Sequence, residues 1–171
     1  MRVINHLRIS LLAAWLGVAI FFSAVVAPSA FGVLRSFSLP NASEIAGTIV
    51  SRGLSAVNTT GLIVSLLLLV AGLLVRKCYG RTSFILQNVL LLIVAIVTTA
   101  GEWVIAARMR GLRAAMQGHI DLVPLDDPNR VAFAALHGYS VAALSVAMIA
   151  ALIVIVLMVA AREGVVTPPA E

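Results

Sequence analysis

Charged residues are scarce in this chain. Only 11% of its 171 residues are Asp, Glu, Lys or Arg, and 61% are hydrophobic, whereas soluble domains average about 25% charged and about half apolar residues. A soluble fold of this length cannot hide so much apolar surface, so the composition excludes an ordinary soluble domain. The 12 basic residues lie mostly at the ends of apolar runs and form no clustered basic face, which excludes nucleic acid as a partner.

Cysteine and the common catalytic signatures are also missing. Cys78 is the only cysteine, which excludes an internal disulfide and leaves cysteine-based zinc and iron–sulfur sites without their ligands. The phosphate-binding pattern GxxxxGK, the hydrolase pattern GxSxG and the zinc-protease pattern HExxH do not occur. We therefore expect a protein without a metal or another cofactor and without enzymatic activity.

The sequence contains four long apolar runs. Each is long enough to cross a bilayer, which takes about 20 apolar residues in a helix. We predict an all-α integral membrane protein, a four-transmembrane-helix bundle with both termini on the same side, that forms one domain over residues 1–171. The predicted parts are spans at about 7–31, 54–76, 84–107 and 134–161, a loop at 114–129 and a disordered tail at 163–171.

Short basic segments predict the orientation of the bundle. The turn at 76–81 holds three positive charges, and the amino-terminal segment adds Arg2 and Arg8. Because positive charge in short loops marks the cytoplasmic side, we expect a multi-pass protein of the bacterial inner (plasma) membrane with both termini in the cytoplasm.

The start of the fourth span carries a polar stripe. Arg130, Phe133, His137 and Ser140 follow each other at i, i+3, i+7 and i+10, a spacing that places them near one face of a helix. Ionisable residues at membrane depth are energetically costly, so they are candidates for a functional site.

Polar residues of the other spans are expected on the same, non-terminal side of the membrane. Glu102 should then pair with Arg52, Arg130 or His137. Two interpretations stay open: a structural ion-pair network that fixes helix register, or a polar pocket for an anionic lipid headgroup or a small anion. The candidate residues are Arg52, Asn58, Glu102, Arg108, Arg130, His137 and Ser140.

Small and aromatic residues recur at helical spacing and predict helix contacts. Such a face serves packing within the bundle, or contact with a second copy or another membrane protein. The residues are Gly17, Phe21, Ala24, Pro28 and Phe31 in the first span, and Phe133 and Gly138 in the fourth.

Two helix starts are signalled by polar residues. Asn41 followed by Glu44 resembles a capping box, which predicts a helix that begins near Ala42. Either Asp127 or Asn129 is a candidate cap for the last helix.

Short motifs along the chain match a known membrane family. They are Trp15-Leu16-Gly17 with Phe21-Phe22, Val26-Ala27-Pro28 with Phe31, Ala46-Gly47 with Arg52, Arg108-Met109-Arg110 with Leu112-Arg113, and Arg130, Phe133, His137-Gly138 and Ser140. With these motifs the chain resembles the family called domain of unknown function 4149, which is related to the transmembrane-protein-205 group. Glu102 does not belong to the pattern. The resemblance implies a four-helix integral membrane protein and no established activity.

Three functions are consistent with these residues. The first is a non-enzymatic bundle that acts as a structural, accessory or small-solute-handling module, with its polar pocket on the non-terminal side. The second is a haem-binding redox subunit with His137 as axial ligand, although a bis-histidine site lacks a second histidine at that depth. The third is a membrane enzyme with Glu102 and His137 as acid and base, for which no nucleophile is evident.

Overall fold

The computed structural model describes residues 2–76, 79–116 and 118–163, and every regular element in these ranges is helical. This result confirms the predicted all-α fold class. The elements in chain order are α1 (Arg2–Phe21), a first π-helical segment (Phe22–Val26), α2 (Ala27–Ser36), α3 (Ala42–Leu74), α4 (Arg81–Thr99), a second π-helical segment (Ala100–Ala106), α5 (Ala107–Ala115), a 3-10 turn (Ile120–Leu122) and α6 (Pro128–Glu163).

Four of the continuous helices are long and apolar enough to cross a membrane. Two of them are composite, because a π-helical segment joins α1 to α2 and another joins α4 to α5 without a break. Four crossings return the chain to the side on which it started. The spans are Val3–Ser36, Ala42–Leu74, Arg81–Ala115 and Pro128–Ala160.

The helices extend beyond the predicted spans. At 33 to 35 residues each and about 1.5 Å per residue they are roughly 50 Å long, while the hydrocarbon core is only about 30 Å thick. The apolar runs at 7–31, 54–76, 84–107 and 134–161 mark the part that needs lipid. Most of the additional turns lie on the side of the 114–129 loop, called here the loop side; the opposite side is the terminal side. Of the predicted tail, residues 164–171 lie outside the described part of the chain.

The bundle is closed by contacts of α1 and α4 with both α3 and α6. The first span runs antiparallel to α3: Trp15 lies against Gly61, and Phe22, further along, lies against Gly53. Glycine is needed at position 61 because a β-carbon there would lie 2.8 Å from three atoms of the Trp15 indole. The centre of the core contains Leu12, Leu68, Leu91, Val154 and Met158.

The predicted packing face of the first span does not face the core. Phe21 is 59% exposed, Ala24 and Pro28 are exposed, and a β-carbon on Gly17 would meet no atom within 4 Å. The buried face is instead formed by Leu12, Trp15, Leu16, Ala19 and Phe22.

This arrangement corrects the interpretation of that face as packing within the bundle. A span that is apolar all round carries no periodicity from which its inward side can be read. Gly138 in α6 is likewise exposed, whereas Phe31 and Phe133 are partly buried. Contact of the outer face with a second copy or another membrane protein stays a prediction.

Asp127 caps α6. Its Oδ1 accepts hydrogen bonds from the backbone N–H groups of Asn129 at 2.8 Å and Arg130 at 3.1 Å. The helix α3 begins at Ala42 as predicted, but the side chain of Asn41 makes no capping hydrogen bond. Glu44 binds elsewhere, and its partners are described below.

Candidate functional site

Glu102 is a largely enclosed ionisable side chain on the loop side of the bundle. Its side chain is 13% exposed, and its Oε1 accepts a hydrogen bond of 2.9 Å from the Ser55 hydroxyl of α3. The second oxygen, Oε2, is buried and has no hydrogen-bond partner among the described residues. A buried polar atom without a partner is energetically unfavourable, so it marks a place where a ligand can bind.

The buried amide of Asn58 lies against Gly101, the residue before Glu102. Its Nδ2 would be 3.0 Å from a β-carbon on Gly101, so the glycine allows α3 to approach the second π segment closely. Along α3, Asn58 and Ser65 are buried and Ser55 is partly buried, whereas Ser51 is exposed. A carboxylate, a hydroxyl and an amide therefore lie close together between two helices.

The π-helical geometry sets the direction of Glu102. Segments of this kind are rare and are often found at functional sites. Their wider turns advance less per residue than an α-helix, which changes the face on which the residues after Gly101 lie. As a result Arg110 reaches back toward Glu102, with Nη1 3.9 Å from Oε1. The Arg110 side chain is 65% exposed, so this ion pair is weak.

Glu102 does not pair with the residues predicted to be its partners. Arg52 and His137 are exposed, and neither they nor Arg130 forms an ion pair with Glu102 within the described ranges. Arg130 instead donates from Nη1 to the carbonyl oxygen of Val123 and so fixes the end of the loop. Arg108 is exposed as well.

The predicted stripe on the fourth span divides between two environments. Ser140 is buried, Arg130 and Phe133 are partly buried, and His137 is exposed. Of the seven candidate residues, the structure thus brings Glu102 and Asn58 to one place, with Ser55 as an additional member. The position of Ser55 in sequence did not distinguish it from the other serines of α3.

A second polar cluster on the loop side was missed by the sequence analysis. Glu44 contacts Nη2 of Arg113 through Oε1 and Nδ1 of His119 through Oε2, both at 2.6 Å. The backbone N–H of Ser43 donates to Oδ2 of Asp121 at 3.2 Å. Since 75 residues separate Glu44 from His119, no local pattern indicates their contact.

This loop cluster binds the 114–129 loop to the start of α3. Within the described residues no group of three or more His, Cys, Asp or Glu side chains is placed to hold a metal ion. Two acidic residues of the loop have structural partners: Asp121 holds the start of α3, and Asp127 caps α6.

Arg8 forms a third polar site, on the terminal side. Its side chain is only 2% exposed, and the Tyr79 ring centroid lies 5.8 Å from its Cζ. The Tyr79 hydroxyl in turn donates to Oδ1 of Asn5. From the sequence, Arg8 was expected only to help set the orientation of the bundle in the membrane. An arginine ahead of an apolar run ordinarily extends to the headgroups.

These features define a class of protein: a multi-pass, four-helix membrane bundle with enclosed charged groups at both ends. The chain belongs to the family described as Domain of unknown function (DUF4149), whose sequence model matches residues 10–118. The match ends before the motif at 130–140, so that part of the resemblance stays a prediction. No curated protein and no solved structure matches the chain significantly.

Proposed function

We propose that this protein is a non-enzymatic membrane module that binds a small cationic solute on the loop side, with Glu102 as the counter-charge. The solute class is an alkali cation or the ammonium group of a small organic molecule. One observation carries the proposal: the carboxylate of Glu102 is largely enclosed by the bundle, and its Oε2 has no hydrogen-bond partner among the described residues.

The chemistry around Glu102 favours a cation over the anion expected from the sequence. The arginines that would bind an anion are exposed, as Arg52 and Arg108 are, or bound to a loop carbonyl, as Arg130 is. Ser55 adds a neutral oxygen atom beside the carboxylate, Asn58 carries a second one almost one turn further along α3, and oxygen ligands suit small hard cations. The exposed Arg110 can be displaced at little cost because surface ion pairs contribute about 0–1 kcal/mol.

The arrangement of the histidines does not favour the two alternatives. An acid–base pair of Glu102 and His137 requires the two side chains to meet, and His137 is exposed on α6. A haem held by His137 would need its second axial ligand at the same depth, whereas His119 binds Glu44 and His6 belongs to the terminal side. We therefore retain neither the enzyme nor the redox subunit as the proposed function.

Native mass spectrometry of gently extracted protein tests the proposal. The samples are the wild type, Glu102→Gln, Ser55→Ala and, as a matched control, Arg108→Gln, which removes an exposed charge from the same end of the bundle. We expect a bound cationic species on the wild type and on Arg108→Gln. Its occupancy should fall at least about tenfold in Glu102→Gln, because loss of a charge-assisted contact removes about 1.5–3 kcal/mol.

Two results contradict the proposal. One is the absence of a bound species from all four proteins. The other is a species that is retained equally by Glu102→Gln and the wild type, which would place its binding site elsewhere.

We further propose a bacterial inner membrane with the terminal side in the cytoplasm. In support, the segments 1–8 and 76–81 contain five basic residues and no acidic one, whereas the loop side carries Glu44, Glu102, Asp121, Asp126 and Asp127. Excess positive charge in short segments is typical of the cytoplasmic side.

A further inference from the structure

Within the described part of the chain, Arg8 is a buried cation without an acidic partner. Its Nε and Nη1 atoms are enclosed and have no hydrogen-bond partner among the described residues, whose ion pairs do not include Arg8. A guanidinium removed from water without a paired anion is strongly unfavourable. The Tyr79 ring, at 5.8 Å from Cζ, offsets part of this cost through a cation–π contact. Arg8 also forms a side-chain hydrogen bond with Tyr79, and an anion at the enclosed Nε and Nη1 atoms would supply the remaining compensation.

The neighbours of the guanidinium leave space for its planar head. Nη2 of Arg8 and Oδ1 of Asn88 both lie against Gly72, where a β-carbon would be 3.3 Å from the first and 3.6 Å from the second. Gly72 is buried in α3. A β-carbon at this position would be in tight contact with the guanidinium and would require it to shift by a few tenths of an ångström, so the glycine leaves room for an arginine here.

The positive charge of the terminal side favours an anionic ligand at this end of the bundle. Arg76 and Arg81 are exposed beside the Arg8 site, and the segments 1–8 and 76–81 contain no acidic residue. Such a concentration of positive charge attracts anions, above all the phosphates of anionic lipids. Arg8 lies within the first two turns of the first span, and basic residues at the ends of spans commonly meet the headgroup region.

We propose that Arg8 anchors a phosphate group at the terminal side of the bundle, and that the phosphate belongs to an anionic phospholipid. The Tyr79 ring covers the guanidinium, and its hydroxyl is held by Asn5. A phosphate therefore reaches Arg8 when Tyr79 turns away from it. This site is independent of Glu102 and of the proposed loop-side function.

The test measures the melting temperature of the protein in neutral detergent. Phosphatidylglycerol, phosphatidylcholine or inorganic phosphate is added to the wild type, Arg8→Gln, Arg8→Lys and Arg81→Gln. The last variant is the matched control, since it removes an exposed positive charge from the same end. We expect phosphatidylglycerol to raise the melting temperature of the wild type and of Arg81→Gln in a saturable manner, and phosphatidylcholine to do so much less.

The variants at position 8 then separate a binding role from a structural one. Arg8→Gln should lose the difference between the two lipids, whatever its starting stability. Arg8→Lys keeps the charge but not the planar donors, so we expect an apparent affinity for phosphatidylglycerol about tenfold weaker than that of the wild type. If Arg8→Gln does not fold, Arg8→Lys and the wild type decide the question.

The responses to the two lipids and to inorganic phosphate decide whether Arg8 binds a lipid phosphate. A response to inorganic phosphate equal to that of phosphatidylglycerol would keep the site and make free phosphate its ligand. Equal stabilisation of the wild type by both lipids, without a response to phosphate, overturns the proposal. So does a full phosphatidylglycerol response in Arg8→Gln or an undiminished affinity in Arg8→Lys.

Discussion

The indole N–H of Trp15 donates a hydrogen bond of 3.0 Å to the backbone carbonyl oxygen of Val57. This bond joins the first span to α3 within the core, and the same indole lies against Gly61 one turn further along α3. A buried indole needs a partner for its N–H group, and here a helix carbonyl provides it. The pair therefore fixes both the distance and the register between the two helices.

Substitution of Gly61 tests this contact. In Gly61→Ala the added β-carbon would lie 2.8 Å from Cε2, Cζ2 and Nε1 of the buried Trp15 ring, which cannot move without losing its hydrogen bond. Overpacking of this kind costs about 1–3 kcal/mol. The control is Gly138→Ala, whose β-carbon meets nothing within 4 Å. We expect Gly61→Ala to melt below Gly138→Ala in the same detergent, and equal melting temperatures would show that the helices separate easily at this point.

The cap of α6 is predicted to depend on the side-chain oxygen of Asp127. Asp127→Ala removes the acceptor of two backbone N–H groups and should lower the free energy of unfolding by about 0.5–2 kcal/mol. Asp127→Asn keeps an acceptor oxygen and should lose less. Asp126→Ala, at the exposed neighbouring position, serves as the control. Chemical denaturation measures all three, and an Asp126→Ala effect as large as that of Asp127→Ala would refute the assignment.

Removal of the charge of Glu44 is predicted to loosen the loop rather than the bundle. Glu44→Gln weakens the contacts with Arg113 and His119, and because these side chains are partly exposed the effect on global stability should be about 0–1 kcal/mol. Cleavage of the loop by an aspartate-directed protease should become about two- to fivefold faster, because proteolysis follows local opening. Arg35→Gln, outside the cluster, should leave the rate unchanged. An unaltered cleavage rate in Glu44→Gln would mean that other contacts hold the loop.

The proposed orientation can be measured with cysteine labelling. Cys78, which lies outside the described residues, is in the basic turn at 76–81, and Asp126 is an exposed loop residue on the opposite side. Because positive charge marks the cytoplasmic side, an impermeant maleimide should label Asp126→Cys in a Cys78→Ser background in intact cells. The native Cys78 should react only after lysis. The reverse pattern would invert the topology.

The number and position of the spans follow from the sequence because the bilayer sets the required length of each apolar run. The start of α3 at Ala42 was also predicted, from the spacing of Asn41 and Glu44, although Asn41 makes no capping hydrogen bond. The rotation of the first span about its own axis could not be predicted, because Gly17 and Phe21 on its outer face are as apolar as Leu12 and Ala19 on its inner face. Lipid and protein core select for the same side chains.

The charged sites were harder to predict for two physical reasons. Arg8 has the same sequence context as an arginine that extends to the headgroups, and its contact with Gly72 on another helix cannot be read from the residues around it. The pairing of Glu102 with Arg110 depends on the second π segment, which changes the faces of the helix in a way that α-helical spacing does not describe. Both features depend on tertiary contacts or backbone geometry that no local pattern shows.

The cation dependence of the melting temperature shows whether Glu102 is the counter-charge of a bound cation. The wild type and Glu102→Gln are compared in sodium, potassium and tetramethylammonium chloride, with N-methylglucamine chloride at the same ionic strength as the reference. A ligand at 100 times its Kd stabilises by about 2.7 kcal/mol. One of these cations should therefore raise the melting temperature of the wild type by several degrees and leave that of Glu102→Gln unchanged. Identical responses of the two proteins to every cation would contradict the assignment of Glu102 as the counter-charge of a cation site.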